Sequence, residues 1–165
     1  MMTVATDEPG ACLRLTRVAR RISSQHQRLE SLYITLARAL AKGNEREAQA
    51  QLAQFCDVLA AQFSLEEDVF FPALARLWPG MRGRIVDLAR EHDRFREELD
   101  QIQKRLGATE REGAKARFDR LAAELAGHDG REEQLVERIL GSSSAPSPGN
   151  AAQSFDGKCG NGRHS

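Results

Sequence analysis

Apolar residues recur at three- and four-residue spacing along four stretches of the chain, which predicts four amphipathic helices. The first stripe is Leu15, Val18, Ile22, Leu29, Leu32, Leu36 and Leu40. The second is Leu52, Phe55, Leu59, Phe63, Phe70 and Leu74. The third is Met81, Ile85, Leu88, Phe95, Leu99, Ile102 and Leu106, and the fourth Phe118, Leu121, Leu125, Leu135 and Ile139. Breaks fall at Lys42-Gly43-Asn44, Trp78-Pro79-Gly80 and Gly107-Ala108-Thr109. Gly43 and Gly107 read as helix stops, and Asn44 and Thr109 as N-caps. Such short connections make neighbouring helices antiparallel, so the expected fold is all-α, an up-down-up-down four-helix bundle over residues 12–140. Residues 1–11 are expected to be flexible. Residues 141–165, rich in Gly, Ser and Pro, read as a disordered tail.

Each stripe is interrupted by polar residues. His26 falls between Ile22 and Leu29, and His92 between Leu88 and Phe95. Gln62 and Glu66 fall before Phe70, and His128 and Glu132 before Leu135. Their heights agree. His26 is about 17 residues before the first turn and Gln62 about 18 after it. Glu66 and His92 each lie about 13 residues from the second turn, and His92 and His128 about 17 and 19 from the third. At about 1.5 Å of rise per residue, five or six of these polar side chains meet at nearly one level. A shift of 66 residues also maps His26 onto His92, Gln62 onto His128 and Glu66 onto Glu132. Ile22, Leu29, Leu59 and Val69 then fall on Leu88, Phe95, Leu125 and Leu135, so the two halves read as copies of one helical hairpin.

Buried imidazoles and carboxylates without partners cost several kcal/mol per charged group. A cation offsets that cost. Glu four residues after His lies on the same helix face, and carboxylates from facing helices can bridge two ions. This donor set suits iron, manganese or zinc. The neighbouring Glu67 and Glu133 read as solvent-side charges, with either able to stand in as a ligand.

Composition narrows the classes of function. Basic and acidic residues balance at 24 each, so no charge excess suggests nucleic acid or an anionic membrane. No apolar run approaches a membrane span, and the N-terminus lacks a basic segment followed by an apolar one. Three cysteines, Cys12, Cys56 and Cys159, are too few and too scattered for a disulfide scaffold. Together these features predict a cytoplasmic protein with free thiols, Cys56 being a buried small hydrophobe. No nucleophile-and-base pair, phosphate loop or cofactor fingerprint marks the chain as an enzyme.

The residues resemble those of the hemerythrin-like (HHE cation-binding) domains over about 13–140. FSLEEDVFFPAL is similar to that family's second-helix signature, REHDRF to the third and HDGREE to the fourth. The resemblance implies a bundle with a non-haem di-iron centre bridged by two carboxylates. Such a centre binds O2, NO or peroxide, or senses redox state or iron. By resemblance His26, His92 and His128 are ligands, Glu66 is one bridge, and Glu132 the other, with Glu133 used at that place in some members. Two departures stand out. Gln62 occupies the place of a ligand histidine, and Leu88 and Arg96 flank His92 where O2 carriers have a further histidine. The expected centre is lopsided, and its depleted side is the one that binds O2 in the carriers, which weighs against reversible O2 carriage. A metal-free bundle acting as a regulatory or interaction module is the alternative that Gln62 favours.

Overall fold

The computed structural model describes residues 8–142, and the backbone there is helical almost throughout. Helix α1 spans Glu8–Lys42 and α2 Glu45–Leu65. A π-helical turn, Glu66–Phe70, joins α2 to α3, Phe71–Leu77. After a 3₁₀ turn at Pro79–Met81 come α4, Arg82–Gly107, and α5, Arg111–Ser142. Because α2, the π turn and α3 run on as one helix, the molecule is a four-helix bundle, as the stripes predict. Helix α1 packs against α2 and α5, and α4 against α5 and α2. The expected tail beyond 142, with Cys159 and His164, and residues 1–7 lie outside the described residues, as do the side chains of Cys12 and Ile139. Helix α1 begins ahead of the expected position 12, with Pro9 in its first turn, where a missing N–H costs nothing.

The first turn forms as its residues predict. Gly43 takes a left-handed φ of 72°, which glycine adopts without penalty. Asn44 Oδ1 accepts the Glu47 N–H at 3.2 Å, while Asn44 Nδ2 donates to the Glu47 carboxylate at 2.9 Å. This reciprocal cap satisfies donors at the start of α2. The third turn differs from expectation. Thr109, not Gly107, carries the left-handed backbone, with φ 62°. Its hydroxyl donates to the Ala108 carbonyl at 2.6 Å, so it does not cap α5. The Glu110 carbonyl instead accepts the Ala114 N–H at 2.9 Å, which puts Glu110 in the capping place.

The π turn corrects a second expectation. Phe71 N–H bonds to the Glu66 carbonyl, five residues back, so the turn holds an extra residue. It directly precedes Pro72, which has no N–H to offer a regular helix and whose ring crowds the preceding turn. The extra residue rotates everything after Glu66. Val69, which the repeat pairs with Leu135, is therefore 45% exposed, while Phe70 is wholly buried, as its place in the stripe predicts.

Two apolar clusters make up the core. One, at the Gly43 end, gathers Leu29, Leu36, Leu52, Phe55, Phe63, Phe95, Ile102 and Phe118. Here Phe55 meets Phe118 edge-on at 5.4 Å between ring centres. The other, at the Trp78 end, gathers Leu15, Ile22, Phe70, Phe71, Leu74, Ile85, Leu88, Leu135 and Val136. Between them lies the polar layer.

Candidate metal centre

All four helices of the bundle contribute to this layer. Gln62, Glu66, His92, His128 and Glu132 are each 0% exposed, and His26 is nearly buried, its side chain 12% exposed. The layer forms because each residue sits one helical turn from large apolar neighbours that carry it inward. The structure thus brings together all six residues singled out from the sequence.

Glu66, His92, His128 and Glu132 converge so that one ligand atom of each lies within 4.8 Å of the others. His92 Nε2 lies 3.2 Å from a Glu66 oxygen and 3.0 Å from His128 Nε2. His128 Nε2 is 3.3 Å from Glu132 Oε1. The other Glu132 oxygen faces away from this group, 3.3 Å from His26 Nε2. His26 Nε2 also approaches Asp129 Oδ1 at 3.6 Å, and His26, Asp129 and Glu132 make a second group of potential ligands. Glu132 alone belongs to both.

The outer nitrogens decide what the inner ones can do. His92 Nδ1 donates to Glu67 at 2.7 Å, and His128 Nδ1 to Glu91 at 2.7 Å. A carboxylate has no proton to give, so both Nδ1 atoms carry the hydrogen, and both Nε2 lone pairs point inward. His26 Nδ1 faces Glu133 at 3.6 Å, and Glu133 is held by the Ser23 hydroxyl at 2.9 Å. Arg96 braces Glu67 at 2.8 Å, and Arg131 braces Glu91. Carboxylates behind the histidines fix ring orientation and raise basicity, the usual outer arrangement of a metal site. Phe63 stacks on His92 at 3.8 Å between ring centres, and the Phe95 ring sets its edge toward His128 at 5.3 Å, which keeps the site apolar around its donors.

A cation fits this arrangement. His92 Nε2 and His128 Nε2, 3.0 Å apart, are placed to share one proton or to turn together toward a cation. Both oxygens of Glu66, both of Glu132, His26 Nε2, Asp129 Oδ1 and both amide atoms of Gln62 are buried without a hydrogen bond. Orphaned buried polar atoms on this scale are rare in folded proteins, and a cation would satisfy every one of them that carries a lone pair, the Gln62 nitrogen excepted.

Electrostatics show the strain of the metal-free layer. Burial and the nearby Glu132 charge push Glu66 up to about 7, against the opposing pull of His92 and the Gln62 amide. Burial also disfavours a charged Glu132, but the close approach of His128 and His26 and their charges outweigh it and hold this carboxyl down at about 2. The two carboxylates therefore share the load unequally. Burial alone would lower His26 and His128, yet Glu132 and the surrounding carboxylates outweigh it, and both are raised.

The family model for the Hemerythrin HHE cation binding domain matches residues 17–140. The chain belongs to the hemerythrin HHE cation-binding family. Comparison with curated proteins and with solved structures finds no match. The HHE assignment agrees with the fold and with a buried His/Glu cluster able to hold a metal.

Sequence reasoning missed three parts of this HHE site. Glu67, read as a solvent charge, backs His92. Glu91 backs His128, although it neighbours His92 in sequence. Asp129, three residues before Glu132 on the same helix face, joins His26. Glu133 lies outside the cluster, its side chain 42% exposed.

Proposed function

We propose that this HHE domain holds a carboxylate-bridged pair of metal ions, iron in the first instance, and uses it to sense or handle O2, NO, peroxide or iron. The observation that carries the reading is Glu132, whose two oxygens face two separate ligand groups, 3.3 Å from His128 Nε2 on one side and 3.3 Å from His26 Nε2 on the other. His92, His128 and Glu66 would hold one ion, His26 the other, and Glu132 would span both. Bound iron supplies the redox chemistry and the affinity for small diatomic ligands. The chain supplies the rest. Glu67 and Glu91 keep the Nδ1 protons on His92 and His128, and Phe63, Phe71 and Phe95 exclude bulk water. A surface cleft of about 270 Å³, lined by Arg84, Asp87, Leu88, Glu91, Arg131 and Leu135, lies beside Glu91, the residue behind His128. Among the described residues no helix is long and apolar enough to cross a membrane.

Metal analysis of protein purified from iron-supplemented cells tests the reading. Bound iron with near-ultraviolet charge-transfer absorption is expected. Protein isolated free of metal, and taking none up on reconstitution, overturns it. Gln62 favours a second reading, a metal-free interaction module. A melting temperature indifferent to chelator would support that alternative, because ligand binding to the folded state must raise stability.

A further inference from the structure

The side of the layer that lacks a histidine at position 62 is not short of donors. Asp129 Oδ1 is buried without a hydrogen bond and lies 3.6 Å from His26 Nε2. Glu132 Oε2 approaches the same nitrogen at 3.3 Å. Gln62, wholly buried, contributes an amide whose oxygen and nitrogen both make no hydrogen bond. Of these residues, His26 on α1 and Asp129 and Glu132 on α5 offer ligand atoms that all lie within 4.8 Å of one another.

We propose that Asp129 is the ligand that replaces the missing histidine, so that the two ions rest in unlike donor sets. The inference rests on the two-ion reading given above. One set is rich in imidazole: His92 and His128 with Glu66 and Glu132. The other is rich in oxygen: His26 with Asp129, Glu132 and the Gln62 amide oxygen. Imidazole binds first-row ions such as iron and zinc well, whereas carboxylate and carbonyl oxygens suit harder ions such as manganese. Loading is therefore sequential. The imidazole-rich set fills first, and the oxygen-rich set fills second with the greater tolerance for manganese(II). Asp129 can play this part because it shares a helix face with Glu132, which fixes the spacing between the two carboxylates before any ion arrives.

The test is titration of the full, metal-free chain with manganese(II), with the free ion counted by electron paramagnetic resonance. The unmodified protein is expected to take two ions, the second more weakly. Asp129→Asn keeps an isosteric side chain, and is expected to leave one of the two manganese(II) steps within about twofold while weakening the other at least about tenfold. Adding Gln62→Glu to Asp129→Asn restores a carboxylate on the same side and recovers the second ion. Asp129→Asn that still binds two ions with unchanged affinities overturns the proposal. An unmodified chain that binds a single ion also overturns it, while leaving metal binding itself in place; a chain that binds none removes both. If Asp129→Asn loses its helical circular dichroism, anomalous scattering from manganese-soaked crystals of the unmodified protein decides. A second peak within coordination distance of the Asp129 carboxylate supports the assignment, and a second peak away from it overturns it.

Discussion

The outermost contacts of the layer are single carboxylates, and each is open to test by one substitution. Glu67→Gln and Glu91→Gln keep side-chain size but replace a charged acceptor behind His92 or His128, 2.7 Å from the ring nitrogen in both cases. Each is expected to weaken metal affinity about 10- to 100-fold while leaving the fold intact, as read by competition with a chelator of known affinity. Gln62→His should strengthen the weaker binding step. Little of this outer tier was visible in the sequence. The three histidines and two carboxylates announced themselves by breaking apolar stripes. Glu67, Glu91 and Asp129 break nothing, since charged residues at half-exposed positions are ordinary. Only the facing helix shows what they touch. Cys56 is the reverse case. Burial pushes its thiol up to about 11, so it is held protonated at neutral pH, as expected of a small packing residue rather than a reactive one.

At the scale of the helices, the turns are where sequence and structure part. Gly43 is required by its φ of 72°; an added Cβ would also meet the Arg111 guanidinium, which can swing aside. Gly43→Ala is expected to cost about 1–2 kcal/mol, seen as a lower melting temperature with metal stoichiometry unchanged. The third turn has the same left-handed need but fills it with Thr109. Thr109→Gly should therefore stabilise the protein by about 0.5–1 kcal/mol, the relief of backbone strain less the added freedom of the unfolded chain. Both turns lie where the stripes end, and that much was legible. Their detailed chemistry was not, because a Gly-Ala-Thr run does not say which residue bends back. Nor could the 66-residue repeat show the π turn. A repeat assumes equal spacing in both halves, and the widened turn before Pro72 breaks that equality by one residue, moving Val69 out.

For the molecule as a whole, pH should act oppositely on the metal-free and the loaded protein. In the metal-free state Glu66, His26 and His128 are all raised. A raised group favours folding below its unfolded value and loses that contribution as pH rises through its folded one. For Glu66 the window runs from its ordinary 4.5 to about 7, and the histidines extend it upward from 6.5. Glu132, lowered to about 2, opposes this only below its ordinary 4.5. The melting temperature of chelated protein should fall between pH 5.5 and pH 8. Ions need deprotonated donors, so that of the loaded protein should rise over the same range. Parallel curves in calorimetry would contradict the assignment of these groups to the centre.

The division of the core into two apolar clusters has a further consequence. Each is a separate store of burial energy, and a layer of buried polar atoms short of hydrogen bonds is poor mortar between them. Without an ion, the Trp78 end can open while the Gly43 end stays shut, so amide hydrogens in α3 and the start of α4 should exchange well before those around Phe118. With an ion in place the helices are tied across the layer, and exchange at the two ends should converge on one global rate. The metal would then act as the coupling that makes a single cooperative unit of two half-bundles, and its loss could be felt at a surface far from any ligand.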